Sequence, residues 1–300
     1  MLSMLMKNVI TISFCLALLT NPVVASFDVS KSEKEALVEL YGSTNGKDWK
    51  YAWDLNAPVH TWHGVELKDN HVVRIHLFGN NLRGKLPESI GNLKHLTHLN
   101  LAFNHITGVL PNGLVKLEKL KVLKLEMNRI KGTIPEKIGN LEKLEEFSMF
   151  NNFLSGTIPS SFGRIRNLRI LNLSSNNLKG AIPKSIGNLT SLEALGLFEN
   201  SLEGTIPNEM GNLGKLKELV LANNQLGGEI PTEFGQLASL KILQIQNNRF
   251  NSFKGLQEMD KNQFLVFDTD DKQNDSKFKH INFERTRMAD TKFEDEDDNE

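Results

Sequence analysis

The sequence predicts an α/β solenoid of stacked 24-residue coils, each opening with a short strand. Three observations carry that prediction. Leucine, asparagine, glycine and proline recur at a fixed 24-residue interval from Val72 to Leu240 without insertion or deletion. Every copy begins Leu-x-x-Leu-x-Leu or close to it, the alternation of a strand with one buried side. Finally, 300 residues with 39% hydrophobic content and one cysteine leave packing rather than disulfides to hold a sizeable core.

In chain order, residues 1–25 read as an export signal. Lys7 precedes an apolar run from Val9 to Leu19, Asn21-Pro22 breaks it, and Val23-Val24-Ala25 supplies small residues for a signal peptidase. Eleven residues span roughly 16 Å as a helix, about half a bilayer core, so cleavage is expected rather than a permanent anchor. Cys15 lies inside this segment, behind Ile12-Ser13-Phe14, which is no lipoprotein box. The mature chain is then cysteine-free, with no disulfide and no thiolate metal site.

Residues 26–71 read as an N-terminal cap. Ser32 and Glu35 have the spacing of a helix capping box, with Ala36, Leu37, Leu40 and Tyr41 following at helical intervals. Asn45-Gly46 ends the helix. All three tryptophans (Trp49, Trp53, Trp62) precede the first repeat strand, where large apolar area can plug the open edge of the stack. A sugar-stacking platform is the alternative use.

Residues 72–268 form the solenoid. Full copies begin at Val72, Leu96, Leu120, Leu144, Leu168, Leu192 and Leu216. An eighth, at Leu240, loses its second half, and a degenerate ninth strand is expected at Phe264–Phe267. The asparagine three places after each last strand leucine (Asn80 through Asn248) turns the chain, and its amide satisfies buried backbone groups. Gly-x-Ile-Pro reads as a tight bend with an apolar anchor. Proline then ends pairing before a helical turn at Ile-Gly-Asn-Leu. A lone coil cannot offset the entropy of ordering itself, so the stack depends on its interfaces and needs both ends capped. Residues 269–300, rich in Asp, Lys, Asn and Glu and ending Glu294-Asp-Glu-Asp-Asp-Asn-Glu300, read as a flexible acidic tail without the ligand spacing of a calcium loop.

These repeats resemble the plant-type leucine-rich-repeat family of receptor-kinase ectodomains and polygalacturonase-inhibiting proteins. Ala36-Leu37-Val38-Glu39-Leu40-Tyr41, Asn45-Gly46-x-x-Trp49 and Trp62-His63-Gly64-Val65 look like that family's N-terminal cap, closer still to the cysteine-free form in secreted microbial proteins. The resemblance covers about residues 33–250. It implies a right-handed superhelix with a parallel concave sheet, and function by protein or glycan binding. The flanking cysteine pairs of plant solenoids are missing, and no kinase follows the repeats, so a receptor-kinase role is not expected. Asn172-Leu-Ser174 and Asn188-Leu-Thr190 match the glycosylation pattern.

Strand positions between the leucines face solvent on the expected concave sheet, a surface about 38 Å long for nine strands. Phe78, Phe150 and Phe198 share one outward repeat position, and Phe103 sits one residue further along, as does Met127. Apolar side chains that the fold does not need point to a partner; burial against the following loops is the other reading. His76, His98, Asn100, Lys124, Glu126 and Asn172 complete the candidate ligand-binding set. His76 and His98 approach diagonally but lack a third ligand, as does the cap pair His60 and His63, so no metal and no cofactor is expected.

The formal charge of −1 gives no long-range pull on nucleic acid or anionic lipid. No nucleophile elbow, phosphate-cradling glycine loop or His-Glu-x-x-His occurs, and the carboxylates are scattered, so no enzyme is expected. The expectation is a secreted protein, extracellular, periplasmic or at the cell surface, that recognises a protein or peptide on its concave face. The alternatives are a glycan-binding or hydrolase-inhibiting protein, and a structural envelope component.

Overall fold

The computed structural model describes residues 29–257, 259 and 264–270; the expected signal and the tail from residue 271 onward lie outside the described residues. The cap helix, Lys31–Ser43, starts two residues before the expected box. Ser30 Oγ accepts from the Glu33 N–H at 3.3 Å, and Glu33 accepts from the Ser30 N–H at 3.4 Å. The reason lies in tertiary structure. Glu33 is 3% exposed, and its Oε1 also accepts from the Val72 N–H at 3.1 Å, tying the cap to the first repeat strand. Glu35 stays on the surface, 3.8 Å from Lys31 Nζ.

Ten strands form the principal sheet: Val65–Lys68, His71–His76, His98–Asn100, Val122–Lys124, Glu146–Ser148, Ile170–Asn172, Ala194–Gly196, Glu218–Val220, Ile242–Gln244 and Val266–Asp268. From His71–His76 onward they pair parallel at the 24-residue offset, Arg74 with His98, His98 with Val122, and so on to Ile242 with Val266. The first strand is an addition to the sequence reading. It pairs antiparallel with the second through a tight turn at Asp69 and Asn70, both with positive φ, and so covers the sheet edge. The last strand begins two residues later than Phe264, because pairing with Ile242 fixes its register.

Between the asparagine turn and the Gly-x-Ile-Pro bend runs a second parallel sheet of six short strands that the sequence reading did not include, Lys131–Thr133, Phe153–Gly156, Asn177–Gly180, Ser201–Thr205, Gln225–Glu229 and Arg249–Ser252. Five of these strands contain a glycine with positive φ, but neighbouring coils still pair their backbones there. The third side of each coil is a 3₁₀ turn, in most coils entered directly through proline, as at Lys184–Asn188 after Pro183, and at Leu114–Lys116 and Lys254–Leu256 through Gly113 and Phe253. Gly187 sits there because any Cβ would press into the Glu209 carbonyl of the next coil.

One continuous apolar core runs from Val29 to Phe267. Beside it stands the asparagine ladder. Asn176 Nδ2 donates to the carbonyls of Met149, Leu173 and Ser174 at 3.0, 3.1 and 3.0 Å, while its Oδ1 accepts from the Leu154 N–H at 2.9 Å. Asn104, Asn128, Asn152, Asn200, Asn224 and Asn248 repeat the arrangement. At the N-terminal end, Trp49, Trp53 and Trp62 are buried and packed on one another and on Tyr41. Their ring N–H groups donate to the carbonyls of Thr44, His63 and Ala57, so they offer no open face for a sugar ring. Among the described residues no helix is long and apolar enough to cross a membrane.

Candidate ligand-binding face

The side chains that leave the principal sheet away from the core form three columns, because alternate strand residues point the same way and the register repeats every coil. The first runs Arg74, His98, Val122, Glu146, Ile170. The second runs His76, Asn100, Lys124, Ser148, Asn172. The third lies just past the strands and holds Phe78, Ala102, Glu126, Phe150, Ser174, Phe198, Ala222 and Gln246.

At the N-terminal end this face is open and mixed in character. Phe78 is 41% exposed, and its ring lies 5.0 Å from that of Phe103 and 6.4 Å from that of His76. Phe103 reaches this contact from a left-handed backbone, φ 57°, unusual for a bulky side chain. Arg74 pairs with Glu66 at 3.4 Å, and Lys124 with Glu146 at 3.0 Å. The register sets His76 beside Asn100 and His98 beside Arg74. His98 Nδ1 lies 2.8 Å from Thr97 Oγ1, and burial, then the Arg74 charge, lower its pKa. The histidine rings that stack closely are instead His71 and His95, 3.6 Å apart, with His71 Nδ1 3.2 Å from Glu33 Oε2.

Towards the C-terminal end the expected residues are less accessible. Phe150 is half-buried, Phe198 packs into an apolar cluster on the face, and Asn172 is buried with its Oδ1 accepting from the Ser174 N–H at 3.1 Å. The strongest aromatic exposure on this face is therefore at Phe78, not at Phe150 or Phe198. Of the two glycosylation matches, Asn172 is buried and Asn188 is exposed.

The structure joins Glu126 of the candidate set with two polar residues that repeat spacing alone did not single out, Ser174 and Gln246. Glu126 Oε2, Ser174 Oγ and Gln246 Oε1 are buried with no hydrogen-bond partner among the described residues, and all three occupy the third column. Burial raises the pKa of Glu126, partly offset by its own backbone hydrogen bond, Lys124 and the Ser148 hydroxyl, and Glu146 raises it further. Ser174 and Gln246 carried no sequence signal, since a small polar residue at an outward position is the ordinary choice. A charged ladder lies just before the strands. Lys121 meets Glu145 at 2.8 Å, and Glu193 accepts from Arg169 at 2.7 Å and Lys217 at 2.8 Å, which holds its carboxyl at a pKa of about 2. Among the described residues no group of three or more His, Cys, Asp or Glu side chains is placed to hold a metal ion.

The leucine-rich repeat region model matches residues 74–175, and the leucine rich repeat model matches residues 167–189 and 215–237. Among solved structures, the chain is similar to the ectodomain of the plant membrane receptor kinase GASSHO1/SCHENGEN3 from Arabidopsis thaliana, solved in complex with CASPARIAN STRIP INTEGRITY FACTOR 2. Identity is 32%, the TM-score is 0.74, and the match covers 78% of this chain and 29% of that one. The Arabidopsis receptor kinase HAESA, solved with the peptide hormone IDA and the co-receptor SERK1, gives 30% identity and a TM-score of 0.63 over 74% of this chain and 42% of that one. A leucine-rich-repeat protein of Leptospira interrogans gives 34% identity and a TM-score of 0.54, covering 63% and 46%. The chain thus spans less than half the length of each of these proteins.

Proposed function

We propose that this chain, a leucine-rich-repeat protein of the plant type, is a secreted recognition module that binds a protein or peptide on the concave, open face of its ten-stranded sheet. The observation that carries the reading is the third outward column, where exposed Phe78, in ring contact with half-buried Phe103, leads into buried polar atoms that have no hydrogen-bond partner among the described residues. An orphaned buried polar atom costs about 1–3 kcal/mol, a cost a ligand's donors and acceptors would remove. Exposed aromatic area beside polar groups is also the composition of binding hot spots. The similar HAESA ectodomain was solved holding a peptide hormone and a co-receptor, which supports the same class of partner here. The role is one of binding rather than catalysis.

The test is selection of peptides from a displayed library on the full chain, followed by affinity measurement on variants. Phe78→Ser with Phe103→Ser should weaken the selected peptides about tenfold or more, the loss of two aromatic contacts of roughly 1 kcal/mol each. Unchanged affinity in the folded double variant would reject the reading. Glycan binding is tested in parallel on an array; a hit there with no selectable peptide would favour the alternative.

A further inference from the structure

The outward side of the second sheet carries a concentration of positive charge. A two-stranded pair, Arg83–Lys85 with His105–Thr107, precedes its six strands. The stretches 81–85, 105–109, 129–133, 153–157 and 177–181 come from successive coils. They hold Arg83, Lys85, Arg129, Lys131 and Lys179 and not one Asp or Glu, in a chain whose formal charge is −1. All five cations are exposed. Among the described residues none of them forms a salt bridge, whereas on and beside the principal sheet Arg74, Lys121, Lys124, Arg169 and Lys217 each meet a glutamate. Glu88, just beyond Lys85, accepts instead from the N–H groups of Asn112 and Gly113 at 3.0 and 2.7 Å, and Glu136 stands past Pro135 on the 3₁₀ side.

Apolar side chains stand among these cations. Lys131 pairs in register with Phe153, and its N–H donates to the Gly108 carbonyl, which sets it beside Val109. Val109, Lys131 and Phe153 therefore form one row across three coils, about 10 Å from end to end. Val109 is 58% and Phe153 54% exposed, more than Phe78 on the principal sheet. Equivalent places in other coils hold Thr133 and Thr157, or Asn177 and Ser201, so the coil itself needs no apolar residue there. We propose that this face of the second sheet, centred on Arg129, Lys131, Val109 and Phe153, is a second docking surface, for an acidic polypeptide segment whose carboxylates alternate with apolar side chains. Charge complementarity selects the acidic partner, and the two apolar side chains select a peptide. Polysaccharides and nucleic acids match the charge but have no aliphatic side chain to lay on Val109. On this flat sheet, Val109 and Phe153 keep nearly half their surface packed, which leaves little to insert below lipid head groups.

The experiment follows the fluorescence anisotropy of a fluorescein-labelled peptide, two copies of Glu-Leu-Asp-Gly-Phe-Glu, titrated with the full chain. Saturable binding that weakens as salt is raised is expected. Arg129→Glu with Lys131→Glu should weaken it about tenfold or more, while Lys143→Glu with Lys215→Glu, the same change in net charge elsewhere on the surface, should leave it within about twofold. Val109→Ser with Phe153→Ser should weaken the peptide about fivefold and leave poly-glutamate unaffected, because only the peptide has apolar side chains to lose. All of these side chains are exposed, and circular dichroism melts check that each variant folds. Phe78→Ser with Phe103→Ser should leave the peptide's affinity unchanged, which separates this outcome from that of the recognition reading. No binding, equal binding by poly-glutamate, loss in the Phe78 and Phe103 variant, or equal loss in the two charge-reversed pairs would overturn the proposal. So would tighter binding of dextran sulfate, single-stranded DNA or phosphatidylserine vesicles through Arg129 and Lys131.

Discussion

Replacing Asn176 by alanine should cost about 3–4 kcal/mol, far more than any exposed asparagine, and the figure can be assembled bond by bond. The three carbonyls that accept from its Nδ2 each keep another donor: Met149 the Asn152 amide, Leu173 the Asn200 amide, and Ser174 the Asn151 N–H. The Leu154 N–H, held only by Asn176 Oδ1 among the bonds described, loses its acceptor inside the protein. One orphaned buried donor costs about 1–3 kcal/mol, and three weakened carbonyl bonds contribute a few tenths to about 1 kcal/mol each. Asn177, the adjacent exposed residue, serves as control, with a change within about 0.5 kcal/mol expected for Asn177→Ala. Urea unfolding followed by circular dichroism reads both, as a midpoint shift at unchanged slope. The reasoning fails if Asn176→Ala costs under about 1 kcal/mol or cannot be told from Asn177→Ala. A large change in slope would mean that the stack comes apart in pieces rather than losing one local set of bonds.

Other expectations follow from the same geometry. Glu126, whose pKa is raised by burial, binds its proton more tightly folded than unfolded. Its contribution therefore declines as pH rises from the ordinary carboxylate value to the raised one, so Glu126→Gln should be the more stable form at pH 7, with the gap closing in acid; paired urea melts across pH check this. Glu193 has the opposite sign. Its stabilisation is present above the ordinary carboxylate value and lost as pH falls towards about 2, so NMR should find its midpoint there, moving up in Arg169→Gln and in high salt. Phe103→Asn should relieve the left-handed backbone and raise stability by about 0.5–1 kcal/mol while weakening ligand binding, an opposition that thermal melts and affinity measurements would reveal together. Gly187→Ala should destabilise, because its methyl group meets the Glu209 carbonyl, whereas Gly214→Ala, with open space at its Cβ, should be tolerated.

Much of this architecture is legible in the amino-acid sequence because each coil repeats one solution to one packing problem. The leucines, the asparagine ladder and the proline-led turns obey local rules, copied at a constant interval. What escaped that reading depended on contacts between distant segments. The helix cap is set at Ser30 and Glu33 because Glu33 must also reach Val72, a partner 39 residues away. The second sheet arises from coil stacking, and no single Gly-x-Ile-Pro segment has strand character of its own. On the open face, repeat position identified which side chains point outward but not how deeply they sit. Phe78 stands exposed while Phe198, at the same repeat position, sinks among Ala194, Val220 and Ile242. The unpartnered atoms of Ser174 and Gln246 are a matter of three-dimensional neighbours, invisible to spacing.

The central claim is that the solenoid presents the outward columns of its principal sheet to a partner. Carboxyl and aromatic footprinting of the chain with and without a selected peptide tests it most directly. Protection should concentrate at outward positions such as Glu66, Phe78, Phe103, Glu126 and Glu146, leaving Glu142, Phe153 and Glu203 unchanged. Protection at the latter set, with the outward columns unaffected, would contradict it.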